Sequence, residues 1–484
     1  MECLTRRSFF GQATAATLMA AAGCSAKCAD AEPKLRVGVC ADIHLVTKDI
    51  EHTHGAEMFE KALRCYDKMK ADAVILGGDI ADFGLVSELE MAASIWHKVF
   101  SGGRRSDGAP IVQCFHYGDH DLGGFAHKYR WAPKFVRDPD FLNHAIVDED
   151  YAAHWERLFG EKWVPIQVKT VKGYTFVLAH HPHSQPGSAI PGLAEALAAA
   201  KIDASKPFFY SQHRPICGIV PEWTNSLDSD ANYKALSAYP NALAFFAHCH
   251  FNCVDEMSLW QGAFTAVQVP STSYCGTRGN RENSFTESNR PTFDRERKGR
   301  ILQMDRVPVE RTHQMMFMEV YGDRIVISRH DLENDGVLGP DWMIPLPSPD
   351  GSCTPEARKA ASVAPVFSEG AAATVTVGIG KDRAKHERPE VVVSFPPAHA
   401  RGRHPRAFDY VVTVMTADGM PILTRRVFSA RPYWTETKDN DPVRCVFGQF
   451  ELPPDGEVAF SVRPANAFGV MGEALPVVKW RKGV

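Results

Sequence analysis

The sequence predicts an α/β fold followed by an all-β domain. Up to about residue 345, apolar runs of strand length alternate with segments that have helical periodicity. After the proline-rich stretch at 345–349, the helical period disappears, and short runs bounded by Pro, Gly and Asp continue to the C-terminus. The first pattern indicates parallel strands joined by helices, and the second indicates a β-sandwich.

Strands and helices alternate at the start of the α/β part. Strands are predicted at 35–40, 73–76 and 111–115, with helices at 56–69 and 88–100 between them. Further helices are predicted at 151–159 and 193–200, and further strands at 164–171, 174–179, 208–210, 243–246, 264–269, 316–320 and 324–329. In the all-β part, strands are predicted at 374–379, 390–395, 409–416, 421–428, 444–451 and 458–464.

Clusters of carboxylate and imidazole side chains follow five of these strands. They are Asp42-Ile43-His44, Gly77-Gly78-Asp79, Gly118-Asp119-His120-Asp121, Ser211-Gln212-His213 and Ala247-His248-Cys249-His250. Open α/β sheets bind ligands beyond the carboxyl ends of their strands, so these side chains are expected to meet there. Asp and His are ligands that suit Zn, Mn or Fe. The sequence therefore predicts one metal centre.

The order and spacing of the five motifs, which span residues 42–250, resemble those of the calcineurin-like metallophosphoesterases. The resemblance implies a four-layer α/β/β/α sandwich. It also implies hydrolysis of a phosphate monoester or diester by a hydroxide that two metal ions activate. The expected ions are divalent or mixed-valence transition metals, namely Mn, Fe or Zn.

The resemblance also assigns the site residues. The first metal would be bound by Asp42, His44 and His250, the second by Asp119, His213 and His248, and Asp79 would bridge the two. His120 would donate a proton to the phosphoryl oxygen or to the leaving oxygen. Asp121 would orient His120, although a helix N-cap or turn residue would also fit that position.

Two positions depart from related patterns. Asp119 stands where the family has Asn, which predicts tighter metal binding and a less acidic bridging water because it adds a negative charge. Asp82 stands where purple acid phosphatases have a Tyr that binds ferric iron, so no purple colour is expected.

Two polar segments leave alternatives open. The histidines His180, His181 and His183 would either touch the substrate or lie in an exposed loop. The arginine-rich segment 271–312 would either bind phosphate esters near the metals or form a solvated loop.

The N-terminus resembles a twin-arginine export signal. Arg6 and Arg7 precede a weakly apolar stretch at 13–22 that is too short to span a bilayer. Cleavage is expected either at Cys24, which would then carry a lipid anchor, or at the A-x-A site 29–31. The sequence therefore predicts an exported bacterial protein that is periplasmic or lipid-anchored at the cell envelope.

These observations divide the chain into four parts. They are a leader at 1–31, the metallophosphoesterase domain at 32–347, a linker at 348–365 and a fibronectin III-like β-sandwich at 366–484. The formal net charge of -4 gives no basic footprint for nucleic acid, so a nucleic-acid phosphodiesterase is disfavoured. The alternative to an enzyme is a catalytically impaired cell-surface protein, disabled by Asp119, whose sandwich binds polysaccharide or a partner.

Overall fold

The structure of the chain is a computed structural model that describes residues 32–46, 54–122, 146–182, 187–221, 230–276, 312–381, 386–399, 407–429 and 441–482. The predicted leader, Cys24, His183 and nearly all of the arginine-rich segment lie outside the described residues. Within the described residues, no helix is long and apolar enough to cross a membrane.

The helices and strands that the sequence predicts are present in the predicted order, and the structure adds two helices, at 230–237 and 355–361, and short strands at 259–261, 336–337, 342–345 and 478–481. The helices are α1 (Gly55–Lys68), α2 (Val86–Val99), α3 (Tyr151–Phe159), α4 (Leu193–Ala199), α5 (Asp230–Ser237) and α6 (Pro355–Ala361). The strands of the α/β part are β1 (Leu35–Cys40), β2 (Ala73–Gly77), β3 (Val112–His116), β4 (Ile166–Val171), β5 (Tyr174–Ala179), β6 (Phe208–Gln212), β7 (Ala242–Phe246), β8 (Leu259–Gln261), β9 (Thr265–Gln268), β10 (Gln314–Val320), β11 (Arg324–Asp331), β12 (Gly336–Val337) and β13 (Trp342–Pro345).

Two mixed sheets form the α/β part. The first has the order β12-β11-β10-β1-β2-β3, with β13 also pairing with β11, and the second has the order β4-β5-β6-β7-β9-β8. In the first sheet β1, β2 and β3 are parallel. In the second sheet β5, β6, β7 and β9 are parallel. Both sheets therefore present carboxyl strand ends at which loop residues can meet.

The two sheets pack face to face, and helices cover their outer faces. Val39 and Ile75 of the first sheet share one buried cluster with Phe209 and Phe245 of the second. Residues of α1, α2 and α3 pack on the other face of the first sheet. Residues of α4 and α5 pack on the other face of the second. The predicted four-layer α/β/β/α arrangement is confirmed.

The C-terminal part is a β-sandwich. Its strands are β14 (Thr374–Lys381), β15 (Glu387–Phe395), β16 (Asp409–Thr416), β17 (Pro421–Phe428), β18 (Val443–Gly448), β19 (Glu457–Ala465) and β20 (Val478–Arg481). They form one sheet of order β14-β15-β18 and another of order β17-β16-β19-β20. Alternate residues such as Val391, Val393 and Val412 meet in a core between the sheets. The predicted all-β sandwich is confirmed, and its likeness to fibronectin III domains stays a prediction.

The segment predicted as a linker contains α6, which contacts both parts of the chain. Arg358 of this helix donates to Leu259 O at 3.0 Å and forms an ion pair with Glu256. Its guanidinium also lies 5.3 Å from the ring centroid of Phe468 in the sandwich. The connection is therefore a packed element, and the domain boundaries themselves stay predictions.

Candidate metal centre

All five sequence motifs meet at the carboxyl ends of five strands. Asp42, Asp79 and Asp119 follow the parallel strands β1, β2 and β3 of the first sheet, while His213 and His248 follow β6 and β7 of the second. The facing sheets thus deliver side chains that are far apart in sequence to one place. This gathering is what the resemblance to calcineurin-like metallophosphoesterases implies, and that part of the prediction is confirmed.

Asp42, His44, Asp79 and His250 form a first group of potential ligands, and their ligand atoms lie within 4.8 Å of one another. His250 Nε2 lies 3.2 Å from Asp42 Oδ1. His44 Nε2 lies 3.0 Å from His250 Nε2 and 3.7 Å from Asp79 Oδ2. All four residues are buried. Two carboxylates and two imidazoles of this kind suit a transition-metal ion.

Asp79, Asp119, His213 and His248 form a second group at the same spacing. His213 Nε2 lies 3.0 Å from Asp79 Oδ2 and 2.9 Å from Asp119 Oδ1, and His248 Nδ1 lies 3.2 Å from Asp119 Oδ1. Asp79 is the residue that belongs to both groups. This arrangement fits the predicted assignment of three ligands to each metal and of Asp79 to the bridge.

The carboxylate oxygens and imidazole nitrogens at this centre are better suited to bind cations than to contact one another. Asp42 Oδ2 is buried and accepts no hydrogen bond among the described residues. Asp119 Oδ1 and His213 Nε2 are also buried, and they lie 2.9 Å from each other. Burial alone would lower the pKa of His213, but the carboxylates of Asp79 and Asp119 raise it well above the usual value. Buried polar atoms without hydrogen bonds are costly, and excess negative charge attracts cations. The residues therefore fit a pair of metal ions.

The backbone at the centre is held in an uncommon conformation. Five ligands have a positive φ between 48° and 69°, namely Asp42, His44, Asp79, His248 and His250. Non-glycine residues rarely adopt this region, and such strain concentrates at functional sites. Gly118 is required nearby, because a Cβ atom there would lie 2.2 Å from Asp79 Oδ1. The strained loops turn the side chains inward toward the predicted metal positions.

Asp121 has a different role from the predicted one. Its carboxylate accepts hydrogen bonds from Ala81 N and Gly118 N, both at 2.7 Å, and it is fully buried. Burial and the nearby charge of Asp79 raise its pKa to about 7. The prediction that Asp121 orients His120 is therefore corrected: Asp121 joins the loops after β2 and β3, in line with the alternative of a turn residue.

Asp82 takes the orienting role instead. His120 Nδ1 donates to the backbone oxygen of Asp82 at 2.8 Å. The Asp82 carboxylate also lies 2.9 Å from His44 Nδ1, which leaves His44 Nε2 turned toward the metal centre. A carboxylate on the far nitrogen of a ligating histidine fixes its tautomer and its ring orientation. The sequence showed only that Asp82 is not the Tyr of a purple acid phosphatase.

We expect Asp82→Ala to weaken metal binding by about 10- to 100-fold, because His44 loses the carboxylate that orients it. Asp82→Asn keeps an oxygen acceptor and should have a clearly smaller effect. Titration of the metal-free protein with Mn²⁺ measures both dissociation constants. Asp203→Asn, at the opposite end of β6 from His213, is a control that should bind metal like the wild type. Wild-type affinity of Asp82→Ala would contradict the orienting role.

Two further residues at the centre were not identified from the sequence. Arg214 Nη2 donates to Asp119 Oδ2 at 2.6 Å. The ring centroid of Tyr274 lies 4.4 Å from that of His250. Arg214 directly follows the predicted ligand His213, and this position in the sequence could have identified it. Tyr274 lies in a polar loop, and only its fold position brings it to the centre.

Two of the three histidines after β5, His180 and His181, are buried. His180 packs edge-on against Trp155 with ring centroids 4.5 Å apart, and His181 N donates to Tyr117 O at 3.0 Å. Burial holds the pKa of His180 well below the usual value and lowers that of His181 to about 4. Of the two alternatives, the exposed loop is therefore wrong for both of these residues.

Comparison with known proteins gives likenesses to solved structures alone. No family model matches the chain, and no curated protein matches it. A dimetal phosphatase from Danio rerio is 10% identical over 65% of this chain and 99% of its own, with a TM-score of 0.38. The purple acid phosphatase PPD1 from yellow lupin (Lupinus luteus) is 11% identical over 65% of this chain and 55% of its own, with a TM-score of 0.41. A zinc complex of Vps29 from Entamoeba histolytica is 9% identical over 64% and 99%, with a TM-score of 0.27. Because these sequence identities and TM-scores are low, the assignment of a family to this chain depends on its own sequence motifs and on the geometry of their side chains.

Proposed function

We propose that this chain is a calcineurin-like metallophosphoesterase that hydrolyses a phosphate monoester or diester at a centre of two metal ions. The observation that carries the proposal is that Asp79 belongs to two adjoining ligand groups. Each group contains three further residues. Two ions that share a carboxylate form the clamp used for in-line displacement at phosphorus. Mn, Fe and Zn all suit the donor set of carboxylates and imidazoles.

The metals, when bound, would hold the phosphoryl oxygens and activate the attacking water. The chain itself supplies the proton for the leaving oxygen. His120 donates Nδ1–H to Asp82 O, so its Nε2 is the nitrogen that exchanges a proton with the substrate. Burial would lower the pKa of His120, but Asp79, Asp119 and Asp82 raise it to about 9. In the metal-free chain these carboxylates thus favour the protonated imidazole, which is the form that a general acid needs.

The proposal also includes export of the protein from the cytoplasm. The twin arginines Arg6 and Arg7 support export, and Cys24 supports attachment of a lipid as an alternative to cleavage after Ala31. A binding protein with a disabled centre is the second candidate from the sequence, and it depends on the charge of Asp119. The ion pair between Asp119 and Arg214 weakens that argument, because it offsets the charge.

The proposed activity is tested by metal content and ester hydrolysis on the same purified sample. We expect about two metal ions per chain and turnover of p-nitrophenyl phosphate or bis-p-nitrophenyl phosphate, and the preferred ester separates a phosphatase from a phosphodiesterase. Removal of the metals with a chelator should abolish turnover, and Mn²⁺ or Zn²⁺ should restore it. His213→Asn is a matched variant that should lose metal and turnover together. A chain that binds no metal would contradict the proposal.

A further inference from the structure

Asp119, a ligand of the second group, forms an ion pair with Arg214. Arg214 Nη2 lies 2.6 Å from Asp119 Oδ2, while Asp119 Oδ1 faces His213 and His248 at 2.9 and 3.2 Å. The two oxygens of Asp119 thus point in different directions, one to the guanidinium and one into the ligand group. Side-chain exposure is 24% for Arg214 and 13% for Asp119, so solvent screens the pair only in part.

This geometry bears on the presence of Asp at position 119, where the family has Asn. Asn, which the family has there, presents a neutral oxygen to the metal. Asp presents an oxygen with a full negative charge, beside the carboxylates of Asp42 and Asp79. A guanidinium in direct contact with the outer oxygen of Asp119 offsets that charge and leaves the inner oxygen available to a metal.

We propose that Asp119 and Arg214 act as one neutral ligand unit, in which Arg214 cancels the charge by which Asp119 differs from Asn. Arg214 is then a positioning and charge-balancing residue that acts on the second metal through Asp119. This proposal rests on the proposed function and deepens it. It also revises the expectation of tighter metal binding, which considered Asp119 without its partner.

The proposal predicts effects of opposite sign for the two members of the pair. Asp119→Asn leaves the positive charge of Arg214 beside the centre and should weaken binding of the second metal by about 10-fold or more. Arg214→Gln leaves the negative charge of Asp119 uncompensated and should tighten it by a similar factor, about 10-fold. The double variant should return to within about 3-fold of the wild type, because both changes to the net charge cancel.

Metal binding is measured by titrating the metal-free proteins with Mn²⁺ alone, and thermal unfolding with a chelator present shows that each variant folds. Arg214→Lys keeps the charge and should behave like the wild type. Arg157→Gln removes an arginine from a pair with Glu90 whose side chains are 51% and 50% exposed, and it serves as the control that should leave the affinity unchanged.

Hydrolysis of p-nitrophenyl phosphate by the wild type, the two single variants Asp119→Asn and Arg214→Gln and their double variant gives a second readout. Activity lost in Asp119→Asn should return in the double variant. Weaker metal binding in Arg214→Gln would overturn the proposal, because it would show that Arg214 only holds Asp119 in place. A double variant as weak as Asp119→Asn would overturn it as well. A wild type that binds no metal would overturn the proposed function too, whereas a metal-binding wild type with the wrong pattern of signs overturns only the neutral unit.

Discussion

Asp79→Asn is expected to remove at least one metal ion from the centre and to lower kcat/KM by at least about 10³-fold, which corresponds to ~4 kcal/mol of transition-state stabilisation. Asp79 is the residue shared by the two ligand groups, and its Oδ2 lies 3.0 Å from His213 Nε2 and 3.7 Å from His44 Nε2. The same oxygen of Asp79 faces both groups, and an amide oxygen in its place carries no full negative charge, so it would bind two cations much more weakly. The loss should therefore exceed that caused by replacing a ligand of a single metal.

Metal content by elemental analysis and turnover of both p-nitrophenyl esters measure this effect. Asp72 offers a matched control, because it precedes β2 at the end opposite to Asp79 and is also buried. Asp72→Asn removes a carboxylate of the same strand region and should keep two metals and near-wild-type turnover. Two metals and turnover within 10-fold of the wild type in Asp79→Asn would rule out the bridging role.

His120→Gln is expected to lower kcat by about 10²- to 10⁴-fold while both metals stay bound. The side chain of His120 contacts the Asp82 backbone oxygen through Nδ1, and its ring stands edge-on to His44 with centroids 4.6 Å apart. This position lies beside the ligands without being one of the predicted seven. The size of the loss should depend on the leaving group, because a good leaving group needs no proton.

The dependence on the leaving group separates acid catalysis from a structural role. The loss should be largest for an alkyl phosphate and clearly smaller for p-nitrophenyl phosphate, since p-nitrophenolate leaves without protonation. His97→Gln changes an exposed histidine of α2 and should leave both rates unchanged. Equal losses for both esters, or loss of metal in His120→Gln, would show that His120 does not act as the acid.

Much of the fold was predictable because its signals are local. Apolar runs of four to six residues marked the buried strands β1, β2 and β7, whose sequences are almost wholly apolar. The loss of helical period after residue 345 marked the sandwich but missed α6, and β16 and β17 have the predicted bounds. The site was predictable for the same reason: each motif is a short run of ligand-type residues directly after a strand, and parallel strands bring such runs together.

The sequence by itself determined the α/β and all-β order, the five motifs and the identity of the candidate ligands, since each depends on neighbours along the chain. Only the tertiary structure decided which groups contact the candidate ligands and His120. It gave Asp82, not Asp121, the contacts to His44 and His120. It also placed Arg214 on Asp119, although 95 positions separate the two. Such contacts depend on how loops of two facing sheets approach one another, and no local pattern of polarity or periodicity encodes that distance.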